Sequence, residues 1–161
     1  MDANEMSKNV LREPKLGFLP GMFKAFPDAE WLLAGGAVRD LLLGRETRKD
    51  LDLVVRNVSL QELSDALSEL GSVNFVGRTF GVLKFVPADS DDGQAVDIAW
   101  PRTERAGMSG AYRDFSVYSD PELPIEQDLG RRDFTMNAIA LELRSSKLID
   151  PHDGRGDIGR K

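Results

Sequence analysis

The order of apolar and polar positions predicts one α/β domain over residues 31–150. Short apolar runs that end at glycine or acidic turns indicate strands, and apolar positions three or four residues apart indicate helices. The predicted strands are residues 31–34, 51–55, 73–76, 82–86 and 95–100, with a closing hairpin at 138–143 and 147–149. The predicted helices are residues 16–26, broken near the middle by a Pro-Gly pair, 37–43 and 60–70, with one or two further turns at 125–131.

In two other segments the apolar residues show no regular spacing. Residues 1–14 are polar and are expected to be frayed, as chain termini often are. Residues 101–124 show little periodicity, which predicts a long functional or mobile loop. We therefore expect residues 1–30 to be a lead-in segment with a short helix, and residues 151–161 to begin a connection to a further domain.

Two helix ends carry local signals. Ser59 precedes an apolar run and is followed three residues later by Glu62, which is the spacing of a capping box. Gly44 follows the last apolar position of the helix predicted at 37–43, where glycine commonly ends a helix. These signals support the predicted bounds of both helices.

The composition is that of an ordinary globular protein. Of the 161 residues, 41% are hydrophobic and 30% are charged. No apolar run approaches the roughly 20 residues of a membrane span, and the N-terminus lacks a signal-peptide pattern, so we expect no membrane partner. The absence of cysteine excludes disulfides and thiolate zinc sites and fits the reducing cytoplasm. The formal charge of −6 argues against strong nucleic-acid binding by this segment alone.

Two carboxylates stand two residues apart where a strand is predicted to begin. Asp50 and Asp52 would point to the same side, about 7 Å apart at their Cα atoms, because side chains alternate along a strand. Neighbouring carboxylates repel each other unless a cation lies between them. The pair follows shortly after two glycines, and this order predicts a divalent-metal site beside a phosphate-binding turn, and hence nucleotidyl transfer.

A third carboxylate, Asp97, lies in an otherwise apolar strand and needs a partner there, because burial of an unpaired charge is costly. If this strand neighbours the one with Asp50 and Asp52, three carboxylates converge and can hold two Mg²⁺ ions about 4 Å apart. One ion would activate an attacking hydroxyl, and the other would neutralise departing pyrophosphate. The alternative is an ion pair of Asp97 with Arg102 or Arg105.

Gly35 and Gly36 join the first predicted strand to the helix that follows. Glycine lets the backbone approach a ligand closely, and the free N–H groups at a helix start favour phosphate. A double glycine alone is more often only a tight turn, but its spacing from the acidic pair favours a phosphate-binding role. Arg39 and Asp40, in the first helical turn, are either part of this site or a solvated ion pair.

A third group of candidate residues follows the predicted turns at 125–131. Arg131 and Arg132 can bind a triphosphate, which carries about four negative charges that arginine forks suit well. Asp133 is a candidate to orient one guanidinium group, and Asn137 to bind a ribose hydroxyl. The alternative for the two arginines is a solvated face.

Residues 35–40, 50–52 and 131–138 together resemble the head domain of the class II tRNA nucleotidyltransferase/bacterial poly(A) polymerase family. The three motifs occur in order across nearly the whole chain. The resemblance implies a polymerase-β-like nucleotidyltransferase fold of the α/β (α+β) class, a small mixed sheet with helices packed mainly on one face. It also implies two-metal transfer of a nucleoside monophosphate from ATP or CTP to an RNA 3′-hydroxyl, with Arg132 as a triphosphate contact.

The family motifs also imply roles for single residues. Asp50 and Asp52 match the metal-binding carboxylates, whereas the segment with Asp97 matches the third acidic position more loosely. Gly36 and Arg39 match residues that contact the incoming nucleotide. The candidate catalytic residues and Mg²⁺ ligands are thus Asp50, Asp52 and Asp97, and the candidate nucleotide-binding residues are Gly35, Gly36, Arg39, Asp40, Arg131, Arg132, Asp133 and Asn137.

Within the family, the sequence favours CCA addition to tRNA over poly(A) synthesis. Residues 102–105 and 125–130 look more like those of CCA-adding enzymes than of poly(A) polymerases. In this family a neck domain after the head reads the incoming base, and no helix motif of that kind occurs before Lys161. We therefore expect a catalytic head that is weak or inactive in isolation, with most of the tRNA grip in other domains.

A non-catalytic regulatory module that binds nucleotides is the alternative from another class. The intact carboxylates, glycines and arginines disfavour it, because a degenerate copy would be expected to lose at least one carboxylate. Lys84 is expected to be an ordinary solvated side chain. His152, the only histidine, is expected at the surface.

Overall fold

The computed structural model describes residues 1–46, 51–76, 81–106 and 115–160. Its helices are α1 (Ala3–Leu11), α2 (Leu19–Ala25), α3 (Gly36–Leu42), α4 (Leu60–Ser68), α5 (Ile125–Gly130) and α6 (Gly154–Gly159), with 3₁₀ turns at Pro14–Leu16 and Thr135–Asn137. Its strands are β1 (Glu30–Ala34), β2 (Asp52–Arg56), β3 (Gly71–Val76), β4 (Val82–Pro87), β5 (Val96–Ala99), β6 (Arg102–Ala106), β7 (Phe115–Ser119), β8 (Ala140–Glu142) and β9 (Leu148–Ile149). Among these helices, none combines the length and apolar character needed to cross a bilayer.

Seven strands form one mixed sheet in the order β3-β4-β5-β2-β1-β8-β9, and β6 and β7 form a separate two-stranded sheet. In the larger sheet β2 and β5 run parallel, and the other neighbouring strands are antiparallel. This is the predicted mixed α/β fold. The parallel pair matters for function because it aligns the first residue of β2 with the middle of β5.

The helices pack mainly on one face of the sheet, as expected. Alternate residues of β1 show the two faces: Trp31 and Leu33 belong to the main core, where α1 to α4 pack. Leu32 and Ala34 point to a smaller cluster on the second face, with side chains of α5. Because strand side chains alternate, a central strand covered on both faces must be almost continuously apolar, as β1 is.

The N-terminal segment is not frayed, so that prediction was wrong. Asp2 caps α1 by accepting a hydrogen bond from the Glu5 N–H at 2.8 Å. Met6 and Val10, one helical turn apart, are 1% and 3% exposed in the main core. Their i, i+4 spacing was the available signal for an amphipathic helix, obscured by the many polar residues between them.

The second helix also differs in detail from its prediction. Residue 16 belongs to a 3₁₀ turn, and α2 begins only at Leu19. Pro20 and Gly21 lie in the first turn of α2 and do not interrupt it, because proline at the start of a helix lacks only an N–H that has no partner there anyway.

The region 101–124 is not a long loop, which corrects a second prediction. β6 and β7 pair as an antiparallel hairpin that aligns Arg102 with Ser119, while residues 107–114 lie outside the described part of the chain. The sequence of β6 is charged and does not alternate, so it carries no periodic signal for a strand, and the structure identifies this strand by its backbone pairing with β7.

The capping box at the start of α4 is confirmed. The Ser59 hydroxyl accepts from the Glu62 N–H at 3.2 Å, and the Glu62 carboxylate accepts from the Ser59 backbone N–H and hydroxyl. The hydrogen bond from the Ser59 hydroxyl is the main reason that the pKa of Glu62 is lowered. The interaction defines where the helix begins after β2.

Because α1 packs against the core, substitutions on its two sides should differ in their effect on the free energy of unfolding. Met6→Ala should lower the free energy of unfolding by about 2–3 kcal/mol, because it leaves a cavity in the main core. Lys8→Ala, on the exposed side of the same helix, should change it by less than about 0.5 kcal/mol. Urea denaturation of both variants measures this, and equal effects would contradict a docked α1.

Candidate active site

Two carboxylates lie side by side on the second face of the sheet. Asp52 is the exposed first residue of β2, and the parallel register aligns it with Asp97 in β5. Their neighbours Leu53 and Ile98 point to the main core, so the two acids point to the opposite face. Adjacent strands are about 4.8 Å apart, which brings both carboxylates within reach of one ligand.

Asp97 also has a basic partner that was not predicted from the sequence, whereas its role as a metal ligand stays a prediction. The Lys84 ammonium group donates to the two carboxylate oxygens of Asp97 at 2.8 and 3.0 Å. The antiparallel register of β4 and β5 places these residues opposite each other. Lys84 is therefore not an ordinary solvated side chain. Lys84, Asp97 and Asp52 form a row across three strands, which we call the acidic row.

The third predicted acid, Asp50, lies outside the described residues, so the expected convergence of three carboxylates stays a prediction. Within the described ranges no group of three or more Asp, Glu, His or Cys side chains could hold a metal ion. The donors that are present nevertheless suit Mg²⁺, which commonly binds through one or two carboxylates together with substrate phosphates. Asp52 and Asp97 supply such oxygens on neighbouring strands.

The glycine turn lies against one of the predicted arginines. Gly35 has φ +79° and ψ −137°, a conformation that side chains strongly disfavour. A Cβ atom on Gly35 would lie 2.6 Å from Nη1 of Arg132. The backbone conformation thus favours glycine here, and the short distance shows that the Arg132 guanidinium group lies directly beside the turn.

Arg39 is held by two neighbours. Its Nε donates to Asp40 at 2.9 Å, and its Nη1 donates to the Asn137 side-chain oxygen at 2.8 Å. Asn137, predicted to bind a ribose hydroxyl, therefore joins α3 to the 3₁₀ turn Thr135–Asn137. Arg39 and Asp40 form an ion pair in which each side chain is under one-third exposed.

Both predicted triphosphate arginines are joined by an acid that the sequence reasoning did not select. Asp128 is 2% exposed, on α5. It accepts from Arg131 Nε at 3.3 Å, from Arg132 Nη2 at 3.4 Å and from the backbone N–H of Arg102 at 3.1 Å. A single buried carboxylate thus connects the two arginines to the first residue of β6.

Asp133, which was predicted to orient a guanidinium group, is exposed, and within the described ranges no hydrogen bond or ion pair joins it to Arg131 or Arg132. Asp128 has that position instead. The signal in the sequence was its i, i+3 and i, i+4 spacing from the arginines, which brings side chains together on a helical turn.

The acidic pair and the arginine pair line one cleft of about 330 Å³ on the second face of the sheet. Asp52 and Asp97 lie on its sheet side, and Asp128 on α5 and the two arginines that follow α5 line the rest. The Nε of Arg132 is buried and, within the described part of the chain, has no hydrogen-bond partner. A cleft with carboxylates on one side and guanidinium groups on the other suits a metal-bound polyphosphate.

Comparison with protein families gives one match over most of the chain. Residues 31–161 match the family model described as the poly A polymerase head domain. The match includes the glycine turn, the acidic row and the arginine pair.

Solved structures of similar fold include CCA-adding enzymes. The Bacillus stearothermophilus CCA-adding enzyme in complex with CTP is 32% identical, with a TM-score of 0.64 over 91% of this chain and 32% of that one. An apo CCA-adding enzyme is 29% identical, with a TM-score of 0.72 over 99% of this chain and 37% of that one. The Thermotoga maritima CCA-adding enzyme complexed with tRNA is 28% identical, with a TM-score of 0.65 over 99% of this chain and 34% of that one. The chain therefore spans about a third of the length of these enzymes.

The contacts of Asp128 predict that its loss destabilises the protein. Asp128→Asn should lower the free energy of unfolding by about 2–3 kcal/mol, less than for a fully buried pair because the arginines are partly exposed. Asp133→Asn removes the same charge from an exposed position and should change it by less than about 0.5 kcal/mol. Chemical denaturation compares the two, and similar values would show that Asp128 does not hold the arginines.

Proposed function

Because this chain belongs to the poly(A) polymerase head-domain family, we propose that it is the catalytic head of a template-independent RNA nucleotidyltransferase that adds CCA to tRNA. The reaction transfers a nucleoside monophosphate from CTP or ATP to the 3′-hydroxyl of tRNA. The oxygen of that hydroxyl bonds to the α-phosphorus, the bond from the α-phosphorus to the bridging oxygen breaks, and pyrophosphate and a proton are released.

The observation that carries this proposal is the composition of the cleft. Carboxylates on the sheet and the two arginines that follow α5 line the same 330 Å³ space. Neither group alone identifies nucleotidyl transfer, since acidic pairs and arginine pairs are common on protein surfaces. Together they match a substrate that brings both a divalent cation and several phosphates.

In this proposal the carboxylates bind the cations and the arginines bind phosphate. Asp50 and Asp52, with Asp97, would hold two Mg²⁺ ions, which would supply Lewis-acid stabilisation of the attacking and leaving oxygens. Arg131 and Arg132 hold the triphosphate chain, so that the α-phosphorus lies towards the acidic row. Arginine forks stabilise negative charge as it develops on the departing pyrophosphate.

The glycine turn and its neighbours complete the nucleotide-binding side. Gly35 and Gly36 leave room for the triphosphate beside Arg132, and Asn137 and Asp40 hold Arg39 in place. Asp133 is proposed to contribute from the exposed rim of this side. The assignment to CCA addition draws on the solved relatives, whose structures contain CTP or tRNA.

The proposed metal site predicts that nucleotide binding depends on Mg²⁺ and on the acidic pair. The double substitution Asp50→Ala plus Asp52→Ala should weaken Mg²⁺-dependent ATP binding by at least about tenfold, measured by calorimetry, because the cations lose their main ligands. Asp89→Ala plus Asp91→Ala removes two exposed carboxylates at the same spacing and should leave the affinity unchanged. ATP binding that needs no Mg²⁺ and is unchanged by the substitution of Asp50 and Asp52 would favour the regulatory module.

The choice between CCA and poly(A) synthesis predicts different products. The full-length protein, given tRNA that lacks its CCA end, should incorporate CTP and then ATP and stop after three nucleotides, as separation of labelled products on a denaturing gel would reveal. Runs of A on arbitrary RNA 3′ ends, with ATP alone, would instead identify a poly(A) polymerase.

A further inference from the structure

We infer that Lys84 is an internal counter-ion that competes with divalent cations for Asp97 and so determines when Asp97 becomes available to the metal site. This inference rests on the proposed metal-binding function of the acidic row. It concerns a residue to which the sequence motifs assign no role.

The geometry places Lys84 on the side of Asp97 that is away from Asp52. β5 lies between β4 and β2 in the sheet, so Asp97 has the lysine on one side and the acid on the other. Lys84 engages both carboxylate oxygens of Asp97. A metal ion shared with Asp52 would need at least one of those oxygens.

The ion pair is suited to exchange because it is only partly buried. The Lys84 and Asp97 side chains are 41% and 38% exposed. Ion pairs at such positions are screened by water and contribute little to stability, so a divalent cation can displace the ammonium group. The long lysine side chain can then turn towards solvent without disturbing β4, whose apolar residues Leu83 and Phe85 point to the other face.

The pairing also places a positive charge beside two neighbouring acids. Asp52 and Asp97 repel each other across the parallel pair of strands, and the ammonium group offsets that repulsion. Lys84 thus reduces the negative charge that the two acids present and lowers the cation affinity of the site. The consequence is a site in which Asp97 joins only once enough divalent cation is present.

A double-mutant cycle tests whether Lys84 acts through Asp97. Mn²⁺ is the probe, because its free concentration can be followed by electron paramagnetic resonance and it accepts the same oxygen ligands as Mg²⁺. Lys84→Met in the otherwise unchanged chain should tighten Mn²⁺ binding by about three- to fivefold. In the Asp97→Asn background the same substitution should change the Mn²⁺ affinity by less than about 1.5-fold, because the carboxylate for which Lys84 and the cation compete has been removed.

The controls separate competition from general charge effects. Lys147→Met removes a lysine beside β9, at the opposite edge of the sheet, and should leave Mn²⁺ affinity unchanged. Lys84→Gln repeats the test with a polar side chain, and thermal denaturation of each variant verifies folding. Tightening that persists in the Asp97→Asn background, or weaker binding after loss of Lys84, would overturn the inference.

The same titration separates failure of this inference from failure of the proposed function. If the unaltered chain binds Mn²⁺ through Asp50 and Asp52 but Lys84→Met has no effect, the metal site stands and the role of Lys84 is refuted. If the double substitution of Asp50 and Asp52 leaves Mn²⁺ binding unchanged, the proposed metal site is wrong, and the inference fails with it.

Discussion

The buried carboxylate of Asp128 is the interaction on which the shape of the cleft depends. A charge that is 2% exposed requires partners, and Asp128 finds them in Arg131, Arg132 and the backbone N–H of Arg102. This contact holds two like-charged guanidinium groups close together at the end of α5. It also joins the hairpin β6–β7 to the site through the backbone N–H of Arg102. The cost of leaving such a carboxylate unpaired keeps all three parts in one arrangement.

The second face of the sheet explains why a cleft exists at all. The helices α1 to α4 cover the main core completely, whereas α5 covers only the part of the other face around β1, β2 and β8. The polar residues of β4 and β5 lie beyond that cover. Charged side chains there stay near water, which permits Lys84, Asp97 and Asp52 to form a row that would be unfavourable in a closed core.

Much of the architecture could be predicted from local patterns. The spacing of apolar residues predicted the strands β1, β2, β4 and β5, and the capping box predicted where helix α4 begins. The two failures have different causes. In α1 the apolar stripe is narrow, with Met6 and Val10 among polar residues, so its burial depends on a core formed by distant strands. In β6 the strand is defined by backbone pairing with β7, which leaves no apolar alternation to detect.

For the site, the sequence by itself determined which chemical groups are present: the acids, the paired glycines and the arginines occur in motifs whose order and spacing are characteristic of one family. Only the tertiary structure decided which of these groups meet. The parallel register of β2 and β5 aligns Asp52 with Asp97, and the antiparallel register of β4 and β5 places Lys84 beside Asp97. Likewise the position of α5 brings Asp128, and not Asp133, next to Arg131 and Arg132. The physical reason is that ion pairing depends on distances of a few ångströms between side chains, and strand register and helix placement set those distances through contacts that are remote in the sequence.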